Sequence, residues 1–156
     1  MNVLERFHWT SGLVPVADCF DGGASTDVVE CRSASGVLFL IFEGNSTGGT
    51  TTGTVTIDAC DDVTPTNTTA VGFMYRSSTT FDTWGAWTQA TATGFVMPTG
   101  DNQMHQVYVP ASELAEEGYG YVRLTVAETV NDPVVAAVLI AVVDPRYQPA
   151  ASTMLT

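Results

Sequence analysis

Val37-Leu38-Phe39-Leu40-Ile41-Phe42, read with Thr54-Val55-Thr56-Ile57-Asp58-Ala59-Cys60, decides the fold. The first run is apolar at every residue, which predicts a central β-strand covered on both faces. The second alternates. Val55, Ile57 and Ala59 fall on one side, and Thr54, Thr56, Asp58 and Cys60 on the other. A period of two belongs to a strand with one face in a core and the other in water.

Outward from these runs, the same pattern repeats between clusters of Gly, Asn, Asp, Ser and Thr. Leu13 to Phe20 reads as a strand that Pro15 confines to a sheet edge. Asp27 to Arg32, Val71 to Arg76, Ala86 to Met97 and Gln103 to Val109 read as further strands. Gly44 to Gly53 reads as a Gly- and Thr-rich hairpin tip. Tyr119 to Val130 and Val134 to Val143, joined by Asn131-Asp132-Pro133, are expected to pair as the longest hairpin. Pro110 to Gly118 carries Pro and acids in a first turn and Gly at its end, which predicts one short helix. Leu114 ahead of Tyr119 or Tyr121 fits an immunoglobulin-like corner, in which a Tyr hydroxyl bonds back to the backbone.

The expectation is an all-β antiparallel β-sandwich, immunoglobulin-like or jelly-roll, with one short helix. Residues 1–12 form an N-terminal arm, 13–143 the sandwich and 144–156 an extended C-terminal arm, because periodicity stops at Asp144 and Pro145 and Pro149 follow.

Composition narrows function. Hydrophobic residues make up 45% of the 156 and charged residues only 14%. Surface polarity must therefore come from hydroxyls, and there are 23 Thr and no Lys. Seventeen acids against five arginines give a formal charge of −12. Nucleic-acid binding needs a basic footprint and is not expected; an anionic membrane would repel the chain as well. The apolar run Val134 to Val143 is too short to span a bilayer as a helix. Met1 to Trp9 carries Glu5, Arg6 and His8 and no apolar core of a secretory signal, so synthesis in a reducing cytosol is expected. Cys19, Cys31 and Cys60 then read as free, packed thiols, with a Cys19–Cys31 bridge as the alternative.

The inventory for chemistry is thin. Without Lys, Schiff-base and P-loop chemistry are excluded. His8 and His105 have no second ligand at metal spacing; His105 reads as a surface or interface polar group on its strand, with a base for a Ser or Cys nucleophile as the alternative, although no G-x-S-x-G elbow is present. Asp58, Asp61 and Asp62 are the densest carboxylates; they read as an Asx-turn ending a strand, with a bound cation as the alternative. No catalytic residue, metal or cofactor is expected. Trp84 and Trp87, in Phe81-Asp82-Thr83-Trp84-Gly85-Ala86-Trp87, allow three roles: a sugar-stacking platform, a protein-contact hot spot, or anchors tucked into the core. Phe7, Trp9, Arg146, Tyr147, Met154 and Leu155 are the candidate partner-binding residues on the two arms.

Several stretches together resemble a family of small structural proteins of tailed bacteriophages. They are Glu5-Arg6-Phe7-His8-Trp9, Ile57-Asp58-Ala59-Cys60-Asp61-Asp62-Val63-Thr64-Pro65 with Ala70 to Arg76, Leu114 to Leu124, and Val143-Asp144-Pro145-Arg146-Tyr147. The resemblance implies a non-enzymatic capsid decoration, or cement, protein. Such a protein sits on the outer face of a phage head, on the virion surface, and is assembled in the bacterial host cytoplasm. The implied partners are the major capsid protein and other copies of the chain, as a homo-oligomer. Two alternatives are a tail-tube or head–tail joining protein, and a carbohydrate-binding or adhesive module using Trp84 and Trp87.

Overall fold

A computed structural model describes residues 6–48, 52–80, 82–130 and 133–144. Twelve strands form two antiparallel sheets that face each other. They are β1 (Phe7–Val16), β2 (Ala24–Ser25), β3 (Val29–Glu30), β4 (Gly36–Ser46), β5 (Thr52–Cys60), β6 (Thr68–Val71), β7 (Phe73–Ser78), β8 (Thr88–Ala90), β9 (Phe95–Val96), β10 (Met104–Pro110), β11 (Tyr121–Val130) and β12 (Val134–Val143). The helix α1 spans Ala111–Glu116 between β10 and β11. One sheet runs β1-β12-β4-β10-β7-β8. The other runs β2-β11-β5-β6, with β3 on the β11 edge and β9 on the β5 edge.

The core lies between the inner faces. Val37, Phe39 and Ile41 of β4, Val107 and Val109 of β10, and Val138 and Ile140 of β12 meet Val55, Ile57, Val122, Leu124 and Val126 from the other sheet. All are fully buried. The β5 alternation holds for most of the strand: Val55, Ile57 and Ala59 point in, while Thr54, Thr56 and Asp58 are half-buried on the outer side; Cys60, expected beside them, is fully buried.

The antiparallel sandwich with one short helix is as the sequence predicts, but four details differ. Residues 7–12, expected as arm, are strand: Phe7 pairs with Val143 and Trp9 with Ala141, and β1 is the sheet's edge. The β11–β12 hairpin does not exist, because β11 pairs with β5 and β12 with β1 and β4. The chain crosses between sheets there, and it does so again between β4 and β5 where a hairpin tip was expected. Finally, β4 is central but covered on only one face. Leu38 and Leu40 are half-buried and Phe42 is 50% exposed.

Among the described residues the expected tyrosine corner is not formed; the helix ends in an ordinary glycine cap. Leu114 is buried, the Tyr119 N–H donates to the Leu114 carbonyl at 2.9 Å, and Gly118 takes a positive φ of 77° to end α1. Among the described residues neither the Tyr119 nor the Tyr121 hydroxyl bonds back to the backbone. Tyr121 instead lies under Arg32, whose guanidinium carbon is 4.8 Å from the ring centroid.

Candidate functional site

The two outer faces of the sandwich differ in chemistry. The β5/β11 sheet turns Thr54, Thr56, Thr125 and the Asp58–Arg123 ion pair (3.0 Å) outward, an ordinary solvated face. The continuous six-stranded sheet, β1-β12-β4-β10-β7-β8, turns outward a mostly apolar surface. Its register places Trp9, Ala141, Leu38, Tyr108, Met74 and Gln89 in one row across all six strands. The next row is Ser11, Leu139, Leu40, Gln106 and Arg76. The third is Ala137, Phe42, Met104 and Ser78. None of these positions is a carboxylate, on a chain of formal charge −12.

Four side chains of this face stand well into solvent: Trp9 at 50%, Phe42 at 50%, Val135 at 49% and Leu139 at 43%. Apolar side chains gathered on one face in this way, rather than scattered singly, mark a contact surface. The face exists because β4 and β12 are apolar at both parities, and the second sheet covers only one of them.

Arg76 is the one charged side chain in these rows. Its guanidinium carbon sits 4.8 Å from the Trp84 ring centroid and 4.7 Å from that of Trp87. Its Nε donates to the Gln106 Oε1 at 2.8 Å. The tryptophans therefore do not anchor the loop in the core; Trp84 is half-buried and Trp87 is 42% exposed. The Arg76 cation stacks on both. Of the expected partner-binding residues, the structure brings Phe7, Trp9, Trp84 and Trp87 to this sheet, at its two flanks. The Phe7 and Trp9 rings lie 6.2 Å apart on β1, tilted by 30°, and an Arg6–Asp144 ion pair at 2.7 Å ties the start of that strand to the end of β12. Arg146, Tyr147, Met154 and Leu155 lie outside the described residues, as does the expected arm after Asp144.

A second polar group sits inside the sandwich. The His105 Nδ1 and the Ser77 hydroxyl are 2.8 Å apart, and its Nε2 lies 3.8 Å from the Glu43 Oε1. Glu43 and His105 are fully buried. Burial alone pushes the Glu43 carboxyl up to about 7 and the His105 imidazole down to about 4. Both Glu43 oxygens, the His105 Nε2 and the buried Gln103 Oε1 find no hydrogen-bond partner among the described residues. Ser77, His105 and Glu43 follow one another as a nucleophile, base and acid would. No substrate reaches this base, however, because His105 has no exposed surface.

The carboxylates at the end of β5 do not converge. Asp58 pairs with Arg123 across the sheet. Asp61 accepts from the Thr66 N–H at 3.0 Å and from the Asn67 N–H and side-chain amide at 3.1 and 2.9 Å, which closes the loop as an Asx-type turn. The Asn67 amide is the main cause holding the Asp61 carboxyl below its usual range. Cys19, Cys31 and Cys60 are buried and free. Burial pushes the Cys31 thiol up to about 12 and the Cys60 thiol up to about 11, which makes both inert. A cleft of about 440 Å³ lies beside α1, lined by Cys31, Arg32, Ala34, Ser112, Leu114 and Tyr119.

No family model matches the chain, and no curated protein matches it. Among solved structures it is similar to a mutant VP2 protein of infectious bursal disease virus from derived T=1 particles, at 14% identity and a TM-score of 0.28. The structure of the virus Gx strain gives 14% and 0.26, and the VP2 subviral particle 13% and 0.27. These alignments cover 96–97% of this chain, which spans 42–44% of the length of those. Such TM-scores fall short of a shared fold.

Proposed function

We propose that the chain is a non-enzymatic structural protein of a virion, a capsid decoration protein that binds the outer face of a phage head and ties capsomers together. The observation that carries this reading is the asymmetry of the sandwich. One outer face is solvated in the ordinary way, and the other is a broad apolar sheet without a carboxylate. Such a face is made to be covered by protein. Covering roughly 400 Å² of it contributes about 10 kcal/mol before the costs of association are met. The resemblance to structural proteins of tailed bacteriophages narrows an assembly surface to one used on the virion. The glycan reading is weaker, since each tryptophan of the pair already gives one ring face to Arg76.

Cryo-electron microscopy of the particle that contains this chain tests the proposal. The expected result is density for the sandwich on the outside of the head shell. Density confined to the tail or the neck would refute the decoration role.

A further inference from the structure

We infer that the outer face of the six-stranded sheet is a self-contact, through which two copies of this chain pack sheet on sheet. The inference rests on reading that face as an assembly surface and gives it to a second copy of the chain, which leaves attachment to the head to other parts of the dimer.

Charge selects the partner. At a formal charge of −12, two copies repel over most approaches. Asp58, Asp61 and Asp62 stand on the opposite sheet and its loop, and Glu113, Glu116 and Glu117 at α1; the acids nearest the face lie at its rim, Asp144 paired with Arg6, Asp101 bonded to Ser46, and Asp82 in the Trp84 loop. The six-stranded sheet is where two copies can meet without pressing carboxylates together. It asks for no acidic partner either. Its one cation, Arg76, is already stacked between Trp84 and Trp87 and bonded to Gln106. The face therefore carries no unpaired charge that a contact would have to desolvate.

Size and relief agree. Five strand spacings by the roughly five residues of strand that the three rows cover span at most about 400 Å² in projection. Side chains standing off that plane raise the accessible area toward the roughly 800 Å² per partner of a standard interface. Large and small side chains alternate across the strands. Ala137, half-buried, lies beside Phe42, while Ala141, between Trp9 and Leu38, is already covered within the chain. Knobs and hollows on one plane let two facing sheets interdigitate at the usual ~10 Å separation. The contact is isologous, so the same residues serve both copies.

Sedimentation equilibrium of the full chain over a wide concentration range is the test, with Leu139→Glu and Leu40→Glu on the face and Thr56→Glu on the opposite sheet as control. Wild type and Thr56→Glu are expected to be dimers. Each face variant is expected to dissociate at least about a hundredfold more readily, as loss of a central interface side chain does. Circular dichroism checks that each variant is folded, and Val135→Ser serves if a glutamate variant is not. A wild type that stays monomeric at every concentration overturns the inference. So does a dimer that survives both face substitutions, or one that forms only after residues 145–156 are deleted, which would make that segment the cover. Co-sedimentation with phage heads separates this inference from the reading beneath it. A monomer that attaches through the face keeps the assembly role and removes the self-contact; a face-dependent dimer that never attaches does the reverse.

Discussion

Replacing Glu43 with Gln should change how stability depends on pH, and the sign follows from burial. Glu43 and His105 are both fully enclosed, 3.8 Å apart between Oε1 and Nε2. The folded state holds the Glu43 carboxyl at about 7, against 4.5 for the free group. Its contribution is thus complete below pH 4.5 and is lost as pH rises to 7. The folded state holds His105 at about 4, against 6.5 when free. Its contribution is complete above pH 6.5 and is lost as pH falls to 4. Between 4.5 and 6.5 the two slopes oppose each other, so in wild type this pair gives a nearly flat profile. Glu43→Gln keeps the shape and removes only the carboxyl titration. Relative to wild type, the variant should gain roughly 3 kcal/mol by pH 8 and under about 1 kcal/mol by pH 5, at 1.36 kcal/mol per pKa unit. Urea unfolding followed by tryptophan fluorescence at pH 5, 6, 7 and 8 reads this difference, and any constant offset from the substitution cancels. A stability difference that stays the same at all four pH values would show that Glu43 is not held neutral by burial, and the reasoning would fail.

Other outcomes follow from the same structure. Phe39→Ala, inside the core, should cost about 3–5 kcal/mol, whereas Leu40→Asp, one residue on but on the outer face, should cost about 1 kcal/mol in the monomer; denaturant midpoints compare them, and the reverse order would mean that β4 faces the other way. Gly94→Ala should cost about 1–3 kcal/mol in thermal unfolding, because Gly94 sits at φ +83° and a Cβ there would fall on the Val55 carbonyl oxygen. Thiol labelling at pH 8 should find no reactive cysteine in the native protein and three in urea; fewer than three in urea would reveal a bridge that the buried, free Cys19, Cys31 and Cys60 exclude.

The sequence made some of this legible and hid the rest for physical reasons. The alternation in β5 names its buried side chains directly, because one strand face meets the core and the other meets water. The edge position of β1 shows in Pro15, yet its first half does not. Phe7-His8-Trp9-Thr10-Ser11 mixes polar and aromatic residues, and its pairing with β12 is set by register at long range. The β11–β12 hairpin was misread for a deeper reason. Strands that pair in one sheet and strands that face each other across a sandwich both alternate, and a turn at Asn131-Asp132-Pro133 serves either geometry. Only partner choice separates them, and partner choice is not local. Glu43 and His105 did carry a signal. Glu43 shares its parity with Val37, Phe39 and Ile41, and His105 with Val107 and Val109, so both belong to inner faces. Arg76 gave none, since its tryptophans come back to it through a loop whose path no spacing records.

The uniform apolarity of β4 connects folding to assembly. A strand that is apolar at both parities is expected to be covered twice, and this fold covers it once. An uncovered face risks nonspecific collapse, which the remainder of the chain opposes. Carboxylates on the opposite sheet and at α1 make encounters through those surfaces repulsive, and the face-to-face approach keeps them apart. Salt dependence follows. Repulsion between the bodies is screened within about 10 Å at 0.1 M salt and about 3 Å at 1 M, while apolar burial is left intact or strengthened by sulfate. The dimer dissociation constant should therefore fall as ionic strength rises, and fall further in sulfate than in chloride at equal ionic strength. Sedimentation across a salt series measures it. A dissociation constant that instead rises with salt would mean that ion pairs hold the contact, and the apolar face would not be what brings the copies together.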